Sequence, residues 1–366
     1  MKVIDLFSGC GGFSTGFSQA GFEITRAVEF DKQIADSFIF NHQDVEMIID
    51  DIRNIDRSGT FENGECDVII GGPPCQGFSM AGARIRNDFI DDPRNYLFKH
   101  YYNVVCTVKP KIFVMENVKG LLTMENGRIF NEIVSSFENM NGGSNDSYHV
   151  YHKIIKASNY GIPQSRERVV VIGVLGRNID LDYEMDRAKE RIRREHSSFF
   201  SPCTVWDAIS NLGPTSDSGI VKNNAPETDY QKYLASDSDI LCNHTKTSHS
   251  PEAIERMEKI GCGENFTVLE EKINSVHSGS YGRLQKGGLA RTITTRFDTP
   301  SGGMFIHPTE NRTISPREAA RIQSFPDSYV FKGTKTSICK QIGNAVPPKI
   351  ALFLANVVMG VLYENR

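Results

Sequence analysis

Short β-branched runs recur along the first 175 residues, and stretches with helical spacing separate them. "KVIDLF" leads into "SGCGG" and an amphipathic stretch from Phe13, and "ITRAVEF" leads into "DKQIADSFIFNH". "CDVIIGG" and "KIFVMEN" flank the helical "NYLFKHYYNVVCTV". This alternation predicts an α/β fold with a mostly parallel sheet, because a parallel strand needs a crossover before the next one can pair. "YHVYHKIIKA" and "RVVVIGVL" leave no room for a helix between them, so they are expected to pair as a hairpin. After about Gly176 the pattern changes. "RAKERIRREH" reads as a charged helix, and Asn211 to Thr247 is rich in Ser, Thr, Asn, Asp and Gly. That composition predicts a smaller, loop-rich second domain. The last stretch, "PPKIALFLANVVMGVLYEN", is an apolar helix that needs a large core. The first domain is its expected host, which makes that domain discontinuous: residues 1–177 with 336–366, around a small domain at 178–335.

No apolar run reaches the ~18 residues of a membrane span. "MKVIDLFSGC" has an aspartate inside its apolar stretch, unlike a signal peptide, so a cytoplasmic location and no membrane partner are expected. Eight cysteines include no CxxC pair, and neither a disulfide framework nor a metal is expected. Cys242, His244, His249 and Cys262 are too loosely spaced for a typical zinc site. The net charge of −4 argues against a general polyanion binder. Yet Arg283 to Lys349 carries 11 Lys and Arg against 4 Asp and Glu, which suits a nucleic-acid face confined to one region. A solvated charged surface is the plain alternative.

The turn after the first strand is glycine-rich, with Gly9, Gly11 and Gly12 in "DLFSGCGGFSTGF". Glycines let a backbone turn tightly and approach a ligand, but this spacing does not match GxGxxG. The second strand ends at Glu29, placed to accept from ribose hydroxyls, with Phe30 beside it to stack on adenine. Asp51-Ile52 falls where a carboxylate can meet the adenine amino group. The loop has no Lys or Arg for a triphosphate, so a nucleoside without phosphates fits, and S-adenosylmethionine is of that kind. "GGPPCQGFS" places Cys75 at a rigid corner just past a strand. "FVMENVKGLL" brings Glu116 to the end of the next strand, and "QSRERVVV" adds Gln164, Arg166 and Arg168, the two arginines on one face. A thiol and a carboxyl beside an adenosyl ligand suggest methyl transfer through a covalent intermediate.

With these segments in view, the chain resembles the DNA cytosine-5 methyltransferases of bacterial modification systems. The likeness runs in order through "DLFSGCGG", "GGPPCQGFS", "DDPRNYLF", "MENVKGLL", "NYGIPQSRERVVVIG", "RTISPREAARIQSFPDSYVF" and "QIGNAVPP". Two small departures are Phe30, where the family often has tryptophan, and Asp50, where a glycine often precedes "DI". The resemblance implies a Rossmann-like S-adenosylmethionine-binding catalytic domain with a smaller target-recognition domain, the recognition region being Asn178 to about Gly288. It implies catalysis by Cys75, Glu116, Arg166 and Arg168. Cys75 would add to carbon 6 of cytosine, Glu116 would hold ring nitrogen 3, Arg166 would donate to the base oxygen, and Arg168 would help orient Glu116 or the loop. It implies a cofactor pocket of Phe7, Ser8, Gly9, Cys10, Gly11, Gly12, Phe13, Glu29, Phe30, Asp51, Ile52, Pro73, Leu97, Asn344 and Ala345. The target base must be flipped out of the duplex, with the loop Gln76 to Asn95 closing over it. The helix opening at Ser315, with Arg317 and Arg321, would organise the recognition domain, while Arg283, Lys286, Arg291 and Arg296 would meet phosphates. The expected partners are double-stranded DNA and a separately acting cognate restriction endonuclease, and the expected state is a monomer. A tRNA cytosine-5 methyltransferase and a catalytically dead binding module are the rival readings. An oxidoreductase on the same fold class is disfavoured by the loop spacing.

Overall fold

The computed structural model describes residues 1–74, 96–140, 147–238, 240–270 and 279–363. The first half builds β1 (Lys2–Leu6), α1 (Gly12–Gln19), β2 (Glu23–Glu29), α2 (Lys32–Asn41), β3 (Glu46–Ile49), α3 (Ile52–Ile55), β4 (Val68–Gly71), α4 (Tyr96–Val108), β5 (Ile112–Val118), α5 (Arg128–Glu138), β6 (Tyr148–Lys156) and β7 (Glu167–Leu175). Seven strands form one sheet in the order β3-β2-β1-β4-β5-β7-β6. The first five pair in parallel, and β7 runs antiparallel between β5 and β6. The expected hairpin is therefore present, in register from Tyr148↔Leu175 to Lys156↔Glu167.

The central strands β1, β4, β5 and β7 are buried on both faces, which is why they read as near-continuous apolar runs, while β3 and β6 at the edges are partly exposed. Val3, Val68 and Ile70 join one core, and Ile4, Leu6 and Ile69 join the other, as the two-residue period of a strand requires. The chain order reverses at β1: β2 and β3 lie to one side, β4 and β5 to the other. In such sheets a crevice opens beyond the carboxyl ends of the strands at the reversal.

The chain continues through α6 (Leu181–Glu195), α7 (Val205–Ile209), β8 (Val221–Lys222), α8 (Asp229–Leu234), β9 (Ile240–Leu241), α9 (Pro251–Glu258), α10 (Pro316–Ile322), α11 (Lys335–Asn344) and α12 (Pro348–Tyr363). Leu181, Ala188, Ile192 and Phe199 bury in the same core as α12 and the sheet. Phe200 and Tyr233 also pack against this core. Contrary to the expectation from run length, the helical stretch Lys335–Tyr363 through α11 and α12 is long and apolar enough to cross a membrane, but its apolar window is largely buried, with α12 packed on α1 and α6. A third core gathers Val205, Leu234, Phe297, Phe305, Ile322 and Ile342 together with Cys10 and Ile34 of the first half. That sharing seats α10 and α11 against the glycine-rich loop.

Candidate active site

The loop after β1 turns through three left-handed residues: Phe7 at φ 57°, Gly9 at φ 56° and Gly11 at φ 94°. Side chains rarely adopt that region, so such a loop persists only where its surroundings hold it. Ser8 is tied to the Val28 carbonyl through its N–H. The Gly9 N–H donates to Glu29 Oε2 at 3.0 Å, and the Asp31 N–H donates to Glu29 Oε1 at 2.9 Å. Burial holds the Glu29 carboxyl above its usual range, and these two N–H groups oppose that shift. The adjacent Phe30 ring is 71% exposed, which is unusual for an aromatic at a strand end. A Cβ built on Gly9 meets nothing within 4 Å, so the space over the loop is open. Asp51 caps α3 and pairs with Arg53, which holds its carboxyl below the usual range. Ile52 is buried behind it. An exposed ring, a carboxylate beside it and an open glycine backbone fit an adenosyl group.

The other loop residues face inward. Phe13 packs in the core and Phe7 is half-buried. Cys10 points at the Gln341 carbonyl, and burial pushes its thiol up to about 12. Gly11 and Gly12 have no room for a side chain. A Cβ on Gly11 would lie 2.7 Å from His42 Nε2 and 2.8 Å from the Tyr329 hydroxyl, and one on Gly12 would lie 2.3 Å from the Val346 carbonyl. The loop therefore abuts the segment after α11, where Asn344 is exposed and Ala345 half-buried.

Beyond β4 and β5 the chain assembles an acid. Gly71 pairs with Met115, which sets Glu116 beside Gly72: a Cβ on Gly72 would lie 3.4 Å from Glu116 Oε2. Asn117 Nδ2 donates to the Pro73 carbonyl at 3.0 Å, joining the two strand ends. On β7, Arg168 reaches across and sets its Nε 2.9 Å from Glu116 Oε1, both side chains being mostly buried. Leu97 is half-buried in the first turn of α4. Cys75, two residues past Pro73, lies outside the described residues, as does the loop Gln76 to Asn95.

Arg166 departs from expectation. Its guanidinium is not a free donor but is taken up by backbone carbonyls. Nη1 donates to the Ile293 carbonyl (3.2 Å), and Nη2 donates to those of Gly343 (3.1 Å) and Ala345 (3.3 Å). Burial brings its pKa down to about 9, helped by Arg168 and opposed by Glu116. Gln164 is also fully buried, accepting from the Ile293 N–H and donating to Gln323.

The basic region needs a larger correction. Five of its cations, Arg283, Arg312, Arg317, Arg321 and Lys349, are buried. Arg283 donates to the carbonyls of Met257, Ile260, His307 and Glu310 and to Asn311 Oδ1, so it is unavailable to phosphate. Lys286 is exposed and lies over the Trp206 ring at 4.3 Å, and Arg291 and Arg296 are exposed. Arg317 and Arg321 are spent inside the fold, Arg321 on Asp327 and Arg317 on the carbonyls of Cys242, Pro326 and Tyr329. His244 bonds Ser315 and the Gly213 carbonyl, and among the described residues no three His, Cys, Asp or Glu gather as a metal site.

Two positions escaped the sequence reading. Asp5 is buried beneath the loop, accepts from Ser14 Oγ at 2.6 Å, and is pushed up to about 7 by burial. A lone carboxylate inside an apolar strand was its signal. Asn117 stands next to Glu116 in "MENV", and its polarity at a strand end was the only sign.

Over residues 1–359 the chain matches the family model of C-5 cytosine-specific DNA methylase. The Type II methyltransferase M1.HphI of Haemophilus parahaemolyticus is 34% identical over 368 residues, covering 98% of this chain and 87% of that one. M.DdeI of Desulfomicrobium norvegicum is 34% identical over 381 residues, covering 97% and 88%. Among solved structures, a prophage-encoded E. coli protein named for DNA modification methyltransferases matches at TM-score 0.74 and 28% identity, with 99% of each chain covered. A DNMT2 variant of Spodoptera frugiperda, at 16% identity and TM-score 0.58 over 98% and 99% of the two chains, shares the fold.

Proposed function

The chain belongs to the C-5 cytosine-specific DNA methylases, and from this we infer that it methylates a flipped-out cytosine in duplex DNA through a covalent Cys75 adduct. The observation that carries the reading is the junction of β4 and β5. Glu116, paired with Arg168, stands against Gly72, three residues before Cys75. Of the seven described cysteines, Cys10, Cys66, Cys203 and Cys339 have thiols pushed up to about 12 by burial, which disfavours those four as nucleophiles.

Cytosine carbon 5 is a weak nucleophile. Addition of the Cys75 thiolate to carbon 6 turns the ring into an enamine. Glu116 holds a proton at ring nitrogen 3, which stabilises that adduct. Arg168 keeps the Glu116 carboxyl in place. Glu29, Phe30, Asp51 and the Gly9 backbone would hold S-adenosylmethionine, with Asn344 and Ala345 at its methionine end. Bound there, it supplies a sulfonium methyl to carbon 5. A base then removes the carbon 5 proton and the thiolate is expelled. Arg291 and Arg296, with Lys286, are positioned on the surface to meet phosphates without reading sequence. A separately acting restriction endonuclease and a monomeric enzyme belong to the same reading.

The test is transfer of tritiated methyl from S-adenosylmethionine to mixed-sequence duplex DNA and, separately, to tRNA, with Cys75→Ala beside both. Label in DNA that vanishes in the variant supports the reading, and mapping the labelled cytosines gives the site. Label only in tRNA, or none, contradicts it.

A further inference from the structure

Arg166 is among the largest fully buried side chains, yet among the described residues its guanidinium donates only to backbone carbonyls, and its Nε finds no partner there. A buried cation without a paired anion is costly unless its surroundings stabilise the charge. Two of its acceptors, Gly343 and Ala345, lie at the carboxyl end of α11, where partial negative charge collects. The third, Ile293, lies on an irregular segment, a strap from Ala290 to the turn at Arg296.

Each side of this contact leads to a different ligand. A Cβ on Gly12 would lie 3.4 Å from Ala345 Cβ, so the end of α11 rests on the cofactor loop. The strap is stitched to the approach to β7 by Ala290 N–H to the Pro163 carbonyl (2.9 Å) and Ser165 N–H to the Ala290 carbonyl (2.8 Å). It carries the exposed Arg291 and Arg296. A Cβ on Gly343 would lie 2.5 Å from the Thr294 carbonyl carbon, so strap and helix end also touch directly.

We propose that Arg166 is a positioning residue that couples cofactor binding to DNA binding, by fixing the end of α11 and the phosphate-facing strap to one guanidinium. The inference rests on the cofactor and DNA reading given above. Coupling of this kind is reciprocal: each ligand raises the other's affinity by the same factor.

The experiment measures affinity for a duplex carrying the mapped target, by fluorescence anisotropy, with and without saturating S-adenosylhomocysteine. Calorimetry measures the converse. The wild type is expected to show a ratio in the range of about 5 to 150. In Arg166→Met that ratio falls to within about twofold of one. Arg166→Lys, which keeps the charge but loses the planar fork, also loses most of it. A merely structural residue would weaken both affinities and leave the ratio unchanged. Should Arg166→Met fail to fold, Arg166→Lys reads the same ratio. A wild-type ratio in the folded variant overturns the proposal, and so does a ratio of one in the wild type. A wild type that binds no S-adenosylhomocysteine overturns the underlying functional reading, and the coupling with it.

Discussion

Replacing Gly12 with alanine puts a methyl group where the fold has no space. The new Cβ would lie 2.3 Å from the Val346 carbonyl oxygen and 3.2 Å from Phe325 Cζ, whereas ordinary contact begins at 3.4 Å. The start of α1 and the Ala345–Val346 segment must therefore separate by about 1 Å, and overpacking of this kind costs roughly 1–3 kcal/mol. On the proposed function both segments border the cofactor pocket, so the strain is relieved by deforming it. Converted to affinity, that range is about a 5- to 150-fold loss. Calorimetric titration with S-adenosylhomocysteine reads it, beside a thermal unfolding curve. Gly21→Ala is the control. Gly21, unlike Gly12, has positive φ, 85°, and its Cβ would meet nothing within 4 Å, so it loses stability through backbone strain alone. The expected result is lowered melting in both variants and weakened cofactor binding only in Gly12→Ala. Cofactor binding by Gly12→Ala within twofold of wild type would refute the packing argument.

Glu116→Gln should lower methyl transfer by about 10²- to 10⁴-fold while DNA binding in a mobility-shift assay is retained. Arg283→Met should lower stability in urea unfolding by about 1–3 kcal/mol for each buried acceptor left unsatisfied, since it strips the buried carbonyls of Met257, Ile260 and His307, and the part-buried Glu310 carbonyl and Asn311 Oδ1, of their donor. Arg296→Ala should leave stability nearly unchanged and reduce the salt slope of DNA binding by about one. Glu318 is buried, and the paired Arg312 brings its carboxyl down, against burial, from the ordinary 4.5 to about 2. Its contribution is present above about pH 4.5 and is lost as pH falls towards 2. Glu318→Gln should therefore flatten the acid limb of stability against pH in that window, and an unchanged limb would contradict the assignment.

The strands of the sheet were readable because burial on both faces writes an unbroken apolar run, as in "CDVIIGG" and "KIFVMEN". The placement of Glu116, Glu29 and the glycine loop followed from strand ends alone, since a parallel sheet gathers those ends into one crevice. Helix α5 is absent from the sequence-based elements, although Ile129, Phe130, Ile133 and Phe137 form a clear buried stripe. Charge was the least legible property. A count of cations does not separate Arg283, held by carbonyls from Met257 to Glu310, from Arg296 on the surface. Acceptors contributed by distant segments leave no local pattern. The same holds for Arg166, whose partners are 127 to 179 residues away.

The central claim is a covalent bond between Cys75 and cytosine carbon 6, and a mechanism-based trap tests it most directly. A duplex carrying 5-fluorocytosine at the mapped target replaces the departing carbon 5 proton with fluorine, so elimination cannot free the enzyme. Incubated with S-adenosylmethionine, the wild type should give a protein–DNA band that survives denaturing electrophoresis, and Cys75→Ser should give none. A wild type without the band, or a Cys75→Ser variant that retains it, would contradict the account.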